Sequence, residues 1–291
     1  MTHSYRGRFA PSPTGPLHFG SLVAAVASWL DAKSNRGEWL VRIEDIDPPR
    51  VFPDSAKMIL STLEYHGLIW DGEVEYQSNH AAYYSDALHQ LDSLGRTYRC
   101  SCSRTDLAAM GGKYDSRCKA APASEAEEHA IRFSVEKPAS WHDLIQGPAE
   151  FSKIDIQGDF VILRRDKLFS YQLAVAYDDW NQGITHVIRG YDLFDSTARQ
   201  IMLLEALGKT APKYGHFAIA TDGQDTKLSK QNQATPLNNN QASNNIIRAL
   251  EFLGQEIPAS APELSAAEIL DMASRNWRLD KVPKKQSIRV C

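Results

Sequence analysis

The sequence predicts an α/β protein built on a parallel sheet. Two strand–loop–helix–strand runs carry that prediction, one over residues 5–43 and one over residues 184–220. A third observation supports it. Two loops of unusual composition, residues 11–17 and 227–230, each follow the carboxyl end of a strand, where open α/β sheets gather their ligands.

Taken in order, residues 5–10 read as the first strand, ended by Pro11, and a Gly/Pro/Ser/Thr loop runs to Leu17. Residues 20–35 read as a helix with Leu22, Val23, Val26, Trp29 and Leu30 on one face and Gly37 as its stop. Trp39, Val41 and Ile43 alternate as a strand. Residues 96–170 differ in character. They hold three cysteines, an acidic Pro/Ala stretch from Pro122 to Glu128 and a strand at Phe160 to Arg164, and they read as an α+β insertion. The second run starts with a strand at Ile184 to Arg189. Thr197-Ala198-Arg199-Gln200 has capping-box spacing and leads into the stripe Ile201, Leu204, Leu207, which stops at Gly208. His216 to Ala220 is the next strand. A Gln/Asn-rich stretch to Asn245 reads as a surface loop, followed by helices at 246–253 and 265–275. The expected division is 1–95 and 171–230 for the two halves of a catalytic domain, 96–170 for the insertion and 231–291 for a helical C-terminal extension.

The 291 residues are 43% apolar and 23% charged, which fits a globular protein with a large core. The longest apolar stretch, Leu22 to Leu30, is too short for a bilayer, and the first residues lack the apolar core of a signal peptide, so a cytoplasmic protein with no membrane partner is expected. A net charge of −4 excludes a nonspecific coat on nucleic acid. Residues 275–291 nevertheless gather Arg275, Arg278, Lys281, Lys284, Lys285 and Arg289 against the single Asp280, which reads either as a phosphate-facing end or as a solvated tail. In a reducing compartment the clustered Cys100, Cys102 and Cys118 suggest metal rather than a disulfide.

The two loops suit a nucleotide. Gly15 and Gly20 permit close backbone approach to a polyphosphate, and a helix starting near Gly20 aims its free N–H groups at the loop. His18 can donate to a phosphate oxygen. The Gly-x4-Gly spacing is that of a P-loop, but Ser21-Leu22 stand where Lys and then Ser or Thr are required, and there is no Gly-x-Gly-x-x-Gly run. Alone, this segment reads equally well as a Gly/Pro turn into a helix. Lys227 and Lys230, three apart on a Gly/Asp/Thr-rich loop, can clamp a leaving pyrophosphate, although an isolated K-x-x-K is usually solvated.

In this order, the segment Arg8 to Ser21, with His18-Phe19-Gly20-Ser21 at its end, and Lys227-Leu228-Ser229-Lys230 resemble the H-I-G-H and K-M-S-K-S elements of class I aminoacyl-tRNA synthetases. Arg42-Ile43-Glu44-Asp45-Ile46-Asp47, Gly158 to Arg164 and Ile184 to Asp192 are similar to runs of the glutamyl-tRNA synthetases. The resemblance implies a Rossmann-like parallel sheet, an inserted zinc-containing α+β subdomain, a short helical C-terminal extension and no anticodon-binding domain, since only about sixty residues follow Lys230. That length resembles the short paralogues of the family. It implies tRNA-independent activation of L-glutamate by ATP and transfer to queuosine at the wobble position of tRNA(Asp). The alternative is a truncated synthetase that charges a tRNA 3′ end.

By resemblance, His18 and Lys230 are catalytic, and His18, Gly20, Lys227 and Lys230 hold ATP with Mg2+. Glutamate falls to Arg8, Phe9, Ala10, Pro11, Ser12, Glu44, Tyr171 and Arg189. These residue types suit a ligand with two carboxylates and one ammonium: Arg8 and Arg189 can grip carboxylates, and Glu44 can pair with the ammonium. The longer enzymes often carry Asn where this chain has Val175. One structural Zn2+ is implied at Cys100, Cys102, Tyr114 and Cys118, with His129 or His142 as alternative fourth donors. A monomer is expected.

Overall fold

A computed structural model describes residues 4–222, 235–257 and 259–290. The first run gives β1 (Arg6–Phe9), α1 (Phe19–Ser34), β2 (Glu38–Ile43), α2 (Ser55–Tyr65), β3 (Glu75–Tyr76) and α3 (Ala81–Ser93). Strands β1, β2 and β3 pair in parallel, with Arg8 opposite Leu40 and Arg42 opposite Glu75. The insertion supplies β4 (Thr97–Cys100), α4 (Arg104–Ala109), α5 (Arg117–Ala120), β5 (Ala130–Phe133), β6 (Ala139–Asp143), β7 (Gly147–Phe151) and β8 (Phe160–Leu163). Here β4, β5 and β8 form an antiparallel sheet and β6–β7 a hairpin.

The second run gives α6 (Tyr171–Asn181), β9 (His186–Gly190), α7 (Phe194–Ala206), β10 (Lys213–Phe217) and β11 (Ile219–Thr221). Strands β9 and β10 are parallel, with Arg189 opposite His216. The two runs meet where Thr185 N–H donates to the Arg6 carbonyl at 2.9 Å and Arg6 N–H donates to Thr185 Oγ1 at 2.8 Å. Strands β1 and β9 therefore lie side by side, and Arg8 and Arg189 leave neighbouring strands. The chain ends with α8 (Ala242–Phe252), α9 (Ala266–Asn276) and β12 (Ser287–Arg289), which pairs in parallel with β11.

Helix α1 is apolar nearly all round, which suits a buried helix. It packs Leu22, Val26 and Leu30 against Trp39, Val41 and Ile43 of β2 and against Ile246, Leu250, Ile269 and Leu270 of α8 and α9. Each of these large side chains gains roughly 1.5–3 kcal/mol on leaving water. A second core joins α3, α6, α7 and β8 through Tyr84, Leu173, Leu203 and Ile162.

The structure corrects three sequence readings. Helix α7 starts at Phe194, and Thr197 is buried inside it with its hydroxyl committed to Arg189 and His216, so it caps nothing. The strand expected at His216 to Ala220 is divided: β10 ends at Phe217 and β11 starts at Ile219, exchanging partner β9 for β12. The Gln/Asn-rich loop ends early, because α8 starts at Ala242; Asn245 is buried in it, 3.1 Å from His66 Nε2 and donating to the Asn238 carbonyl. The capping box at Ser265 and Glu268 is formed as read. Among the described residues no helix is long and apolar enough to cross a membrane.

Candidate active site and thiol cluster

The loop after β1 is held in place by its neighbours. Pro11 carbonyl accepts from Glu44 N–H at 3.0 Å and Pro13 carbonyl from Phe52 N–H at 2.9 Å. Gly15 donates to Ser55 Oγ at 2.8 Å and accepts from it at 2.8 Å, with φ at 133°, a region that favours glycine. His18 is the N-cap of α1, and its Nδ1 accepts from Ser21 N–H at 3.3 Å. The start of α1 thus faces the same space as the imidazole.

That space is a cavity of about 600 Å³ between the carboxyl ends of β1 and β9. The run Arg8 to Ser12 lines it, with His18, Gly20, Glu44, Tyr171 and Arg189. Val175 is buried in α6 and is not part of the lining. Lys227 and Lys230 lie outside the described residues. Their described flanks are at the cavity: Ala220 lines it, and Pro236 pairs with His18 while Leu237 N–H donates to the Leu17 carbonyl at 3.0 Å. A smaller cavity of about 210 Å³ adjoins the first, shares Ser12, Glu44 and Tyr171 with it, and is bounded by Arg164 and Phe169.

On the β1 side the charges are interlocked. Arg8 donates from Nε and Nη2 to the two oxygens of Asp179, each at 3.2 Å. Arg42, fully buried, reaches Asp179 at 2.7 Å, Glu44 at 3.4 Å and Asp178 at 3.6 Å, and also donates to Gln182 Oε1. Asp178 accepts from Gln77 at 2.8 Å and Tyr84 at 2.7 Å. Burial favours a neutral Asp179, but Arg8 and Arg42 outweigh it and keep its carboxyl below the usual range. Glu44 behaves oppositely. Burial pushes it up to about 7 against the pull of Arg42 and Arg8. Burial, with the Glu44 charge, also raises Tyr171 to about 12.

On the β9 side the arginine is held by neutral groups. Arg189 donates from Nε to His216 Nε2 at 3.1 Å and from Nη2 to Thr197 Oγ1 at 2.7 Å and Gln200 Oε1 at 2.8 Å. Its Nη1 is buried and has no hydrogen-bond partner among the described residues. His216 Nδ1 lies 2.5 Å from Asp143 Oδ2. Burial lowers His216 to about 4, the Asp143 hydrogen bond opposing it and the Arg189 charge adding to it. The imidazole is then neutral, with its proton on Nδ1 toward Asp143 and its Nε2 lone pair accepting from Arg189. Burial would raise Asp143, but bonds from His216 and the Gln146 N–H hold it low. An arginine with an unmet donor, aimed by uncharged acceptors at a cavity wall, is suited to a carboxylate.

Sequence reasoning missed Asp179, His216, Asp143, Thr197 and Gln200. Two of them left a trace: Asp178-Asp179 interrupts an otherwise apolar stretch of α6, and His216 sits among the largely apolar residues of β10.

In the insertion, the Sγ atoms of Cys100, Cys102 and Cys118 all lie within 4.8 Å of one another, with Cys102 to Cys118 at 3.4 Å. Thiolates sharing a tetrahedral zinc at about 2.3 Å stand about 3.7 Å apart, so the spacing fits. The Tyr114 hydroxyl accepts from Cys118 N–H at 3.2 Å, and Arg132 donates to Cys100 Sγ at 3.1 Å. Burial would raise Cys100, but Tyr114 and Arg132 bring it down to about 7, near thiolate. Gly158, at φ 97°, would place a Cβ 2.3 Å from the Tyr114 carbonyl, so that close approach requires glycine. Among the described residues neither His129 nor His142 joins the group; His129 Nδ1 faces the Glu127 carbonyl at 2.7 Å.

A cleft of this form, two strand-borne arginines beside a helix start that offers histidine and amides, is that of a carboxylate-activating synthetase. Residues 4–254 match the family described as tRNA synthetases class I (E and Q), catalytic domain, and the chain belongs to that family. Within it the chain is similar over nearly its whole length to proteins named Glutamyl-Q tRNA(Asp) synthetase. The one from Pectobacterium atrosepticum is 45% identical over 288 residues, which are 99% of this chain and 89% of that protein. The one from Vibrio vulnificus strain CMCP6 is 46% identical over 287 residues, 98% of this chain and 93% of that protein. Among solved structures, a glutamate tRNA ligase from Elizabethkingia meningosepticum, in complex with its amino acid, matches with a TM-score of 0.80 at 25% identity. That match covers 98% of this chain and 67% of that one.

Proposed function

We propose that this protein activates L-glutamate with ATP, without needing tRNA, and transfers the glutamyl group to queuosine at the wobble position of tRNA(Asp). Beside the likeness to the Glutamyl-Q tRNA(Asp) synthetases, one observation carries the reading. Buried Arg189, whose Nη1 has no hydrogen-bond partner among the described residues, shares a cavity with the buried carboxylate of Glu44. Arg189 takes a carboxylate of glutamate, Glu44 its ammonium, and Arg8 with Tyr171 closes the pocket. A carboxylate oxygen attacks the α-phosphorus, the new O–P bond forms, and pyrophosphate leaves. His18 and the amides at the start of α1 meet the charge that grows on the phosphate, Gly20 gives it room, and Lys227 and Lys230 hold the departing phosphates, with Mg2+ entering as the counter-ion of ATP. A queuosine hydroxyl then attacks the acyl carbon, the acyl–phosphate C–O bond breaks, and AMP leaves, its phosphate able to take the hydroxyl proton. The adenylate is already activated, so no protein nucleophile is needed.

Cys100, Cys102, Cys118 and Tyr114 would hold one structural Zn2+, whose role is to order the insertion. Metal analysis of chelator-free protein then gives about one zinc per chain; a clearly smaller ratio removes the ion. The enzyme acts in the cytoplasm as a monomer. Transfer of labelled glutamate to tRNA(Asp) with and without queuosine tests the reaction: transfer requires the modified base, and efficient charging of unmodified tRNA(Glu) would sink the reading.

A further inference from the structure

The basic stretch at the C-terminal end takes no part in the chemistry above, yet the fold sets it at the cavity. In the β11–β12 pair, Ile219 lies opposite Ser287, Ala220 opposite Ile288 and Thr221 opposite Arg289. Ile219 and Ala220 are themselves lining residues. Ile219 N–H donates to the Gln286 carbonyl at 2.9 Å, and the Gln146 side chain donates to the Lys285 carbonyl at 3.3 Å and the His216 carbonyl at 2.7 Å. The backbone at Lys285 and Gln286 is thus one hydrogen bond from the cavity wall and one side chain from the strand that backs Arg189.

The charges here are of two kinds. Arg275 and Arg278 are neutralised by Asp271 at 2.6 Å and Asp280 at 2.8 Å. Lys281, Lys284 and Lys285 are exposed and enter no ion pair among the described residues, and Arg289 is exposed on β12. These three lysines, on the segment that runs beside the cavity wall in a protein of net charge −4, are a local field and not a general basicity. A nucleoside with its base in the cavity leaves its flanking phosphates at the rim, and a basic track beside a base-binding cleft is how single-stranded nucleic acid is held.

We propose that Lys281, Lys284 and Lys285 form a phosphate-binding rim that grips the sugar–phosphate backbone on either side of the nucleoside acceptor. This rests on the proposed RNA acceptor. The loop tip of the RNA would lie along β12, and the rim would act on the second step only, since glutamate activation needs no RNA.

The test uses the full-length Lys284→Glu/Lys285→Glu double variant, with Lys284→Gln/Lys285→Gln as a milder form. Three quantities are measured: glutamate-dependent pyrophosphate exchange, direct binding of tRNA(Asp), and transfer to queuosine-containing tRNA(Asp) at several salt concentrations. The expected result is exchange within about twofold of the parent, tRNA binding and transfer efficiency reduced about tenfold or more for the Glu pair and less for the Gln pair, and a slope of log affinity against log salt shallower by about 1.5. Unchanged tRNA binding and salt slope would make the stretch a solvated tail and overturn the proposal. Parent protein that binds tRNA but transfers no glutamate would overturn the proposed reaction instead, and the rim would still be judged by binding alone.

Discussion

The two sides of the cleft present arginine in opposite ways. On the β1 side Arg8 and Arg42 are matched against Asp178, Asp179 and Glu44, so two positive charges face three acidic groups. On the β9 side the hydrogen-bond partners of Arg189 among the described residues are His216, Thr197, Gln200 and the Leu193 carbonyl, all uncharged. The first side is an interlocked block in which acidic groups outnumber the arginines. The second offers an arginine without an acidic partner and with an open donor among the described residues. A ligand with an ammonium and carboxylates is therefore oriented by the asymmetry between the sides, not by the number of arginines. Buried charge is used once as scaffold and once as recognition.

The sharpest way to break this contrast is Arg42→Ala. It leaves three buried acidic groups with only Arg8 to balance them, and a loss of about 3–5 kcal/mol in unfolding free energy is expected from chemical denaturation. A loss below about 1 kcal/mol would mean that the block is not held together by its charges. A smaller effect is expected at the other side. His216→Phe keeps a ring of similar shape but removes the acceptor that aims Arg189, and a hydrogen bond to a charged group contributes about 1.5–3 kcal/mol. The KM for glutamate rises at least about tenfold in pyrophosphate exchange while the KM for ATP is unchanged; a parallel change in both would make His216 a packing residue only.

The smallest effect sharpens the comparison by pH. Glu44 binds an ammonium only when ionised, and burial raises it to about 7, so lowering the pH through 7 protonates it and weakens glutamate binding. The KM for glutamate is expected about threefold higher at pH 6.5 than at pH 7.5. His216, lowered to about 4, adds no dependence in that range. A flat KM profile would show that Glu44 stays ionised throughout.

The parts of this design visible in sequence were those that are local. The strand-end positions of Arg8 and Arg189 and the glycine loop follow from short runs whose turn chemistry and periodicity show without a fold, while the roles expected of these residues and of His18 rest on the family resemblance. The supports are not local. Asp179 answers Arg8 from α6, across most of the chain, and as one of two adjacent aspartates near a helix end it looks like a solvated pair. His216 could be suspected only as a polar residue in an apolar strand, and its partner Asp143 comes from the insertion. The start of α7 was misread for a related reason: Thr197 has the composition of a cap, but tertiary packing uses its hydroxyl for Arg189 instead. The thiol cluster was readable because three cysteines within nineteen residues are rare enough to stand out, whereas its second layer, Arg132 and Gly158, was not.

The β6–β7 hairpin brings Asp143 from the insertion to the back of the amino-acid pocket. Asp143 Oδ1 accepts from Ile145 N–H, Gln146 N–H and His216 N–H at 3.1, 2.9 and 3.1 Å, tying the bend of the hairpin to β10. The inserted unit is therefore not an interchangeable module. A chimera that takes this segment from another synthetase must carry a carboxylate at the same bend, or the arginine that selects the substrate loses its alignment even though every residue of the host pocket is retained.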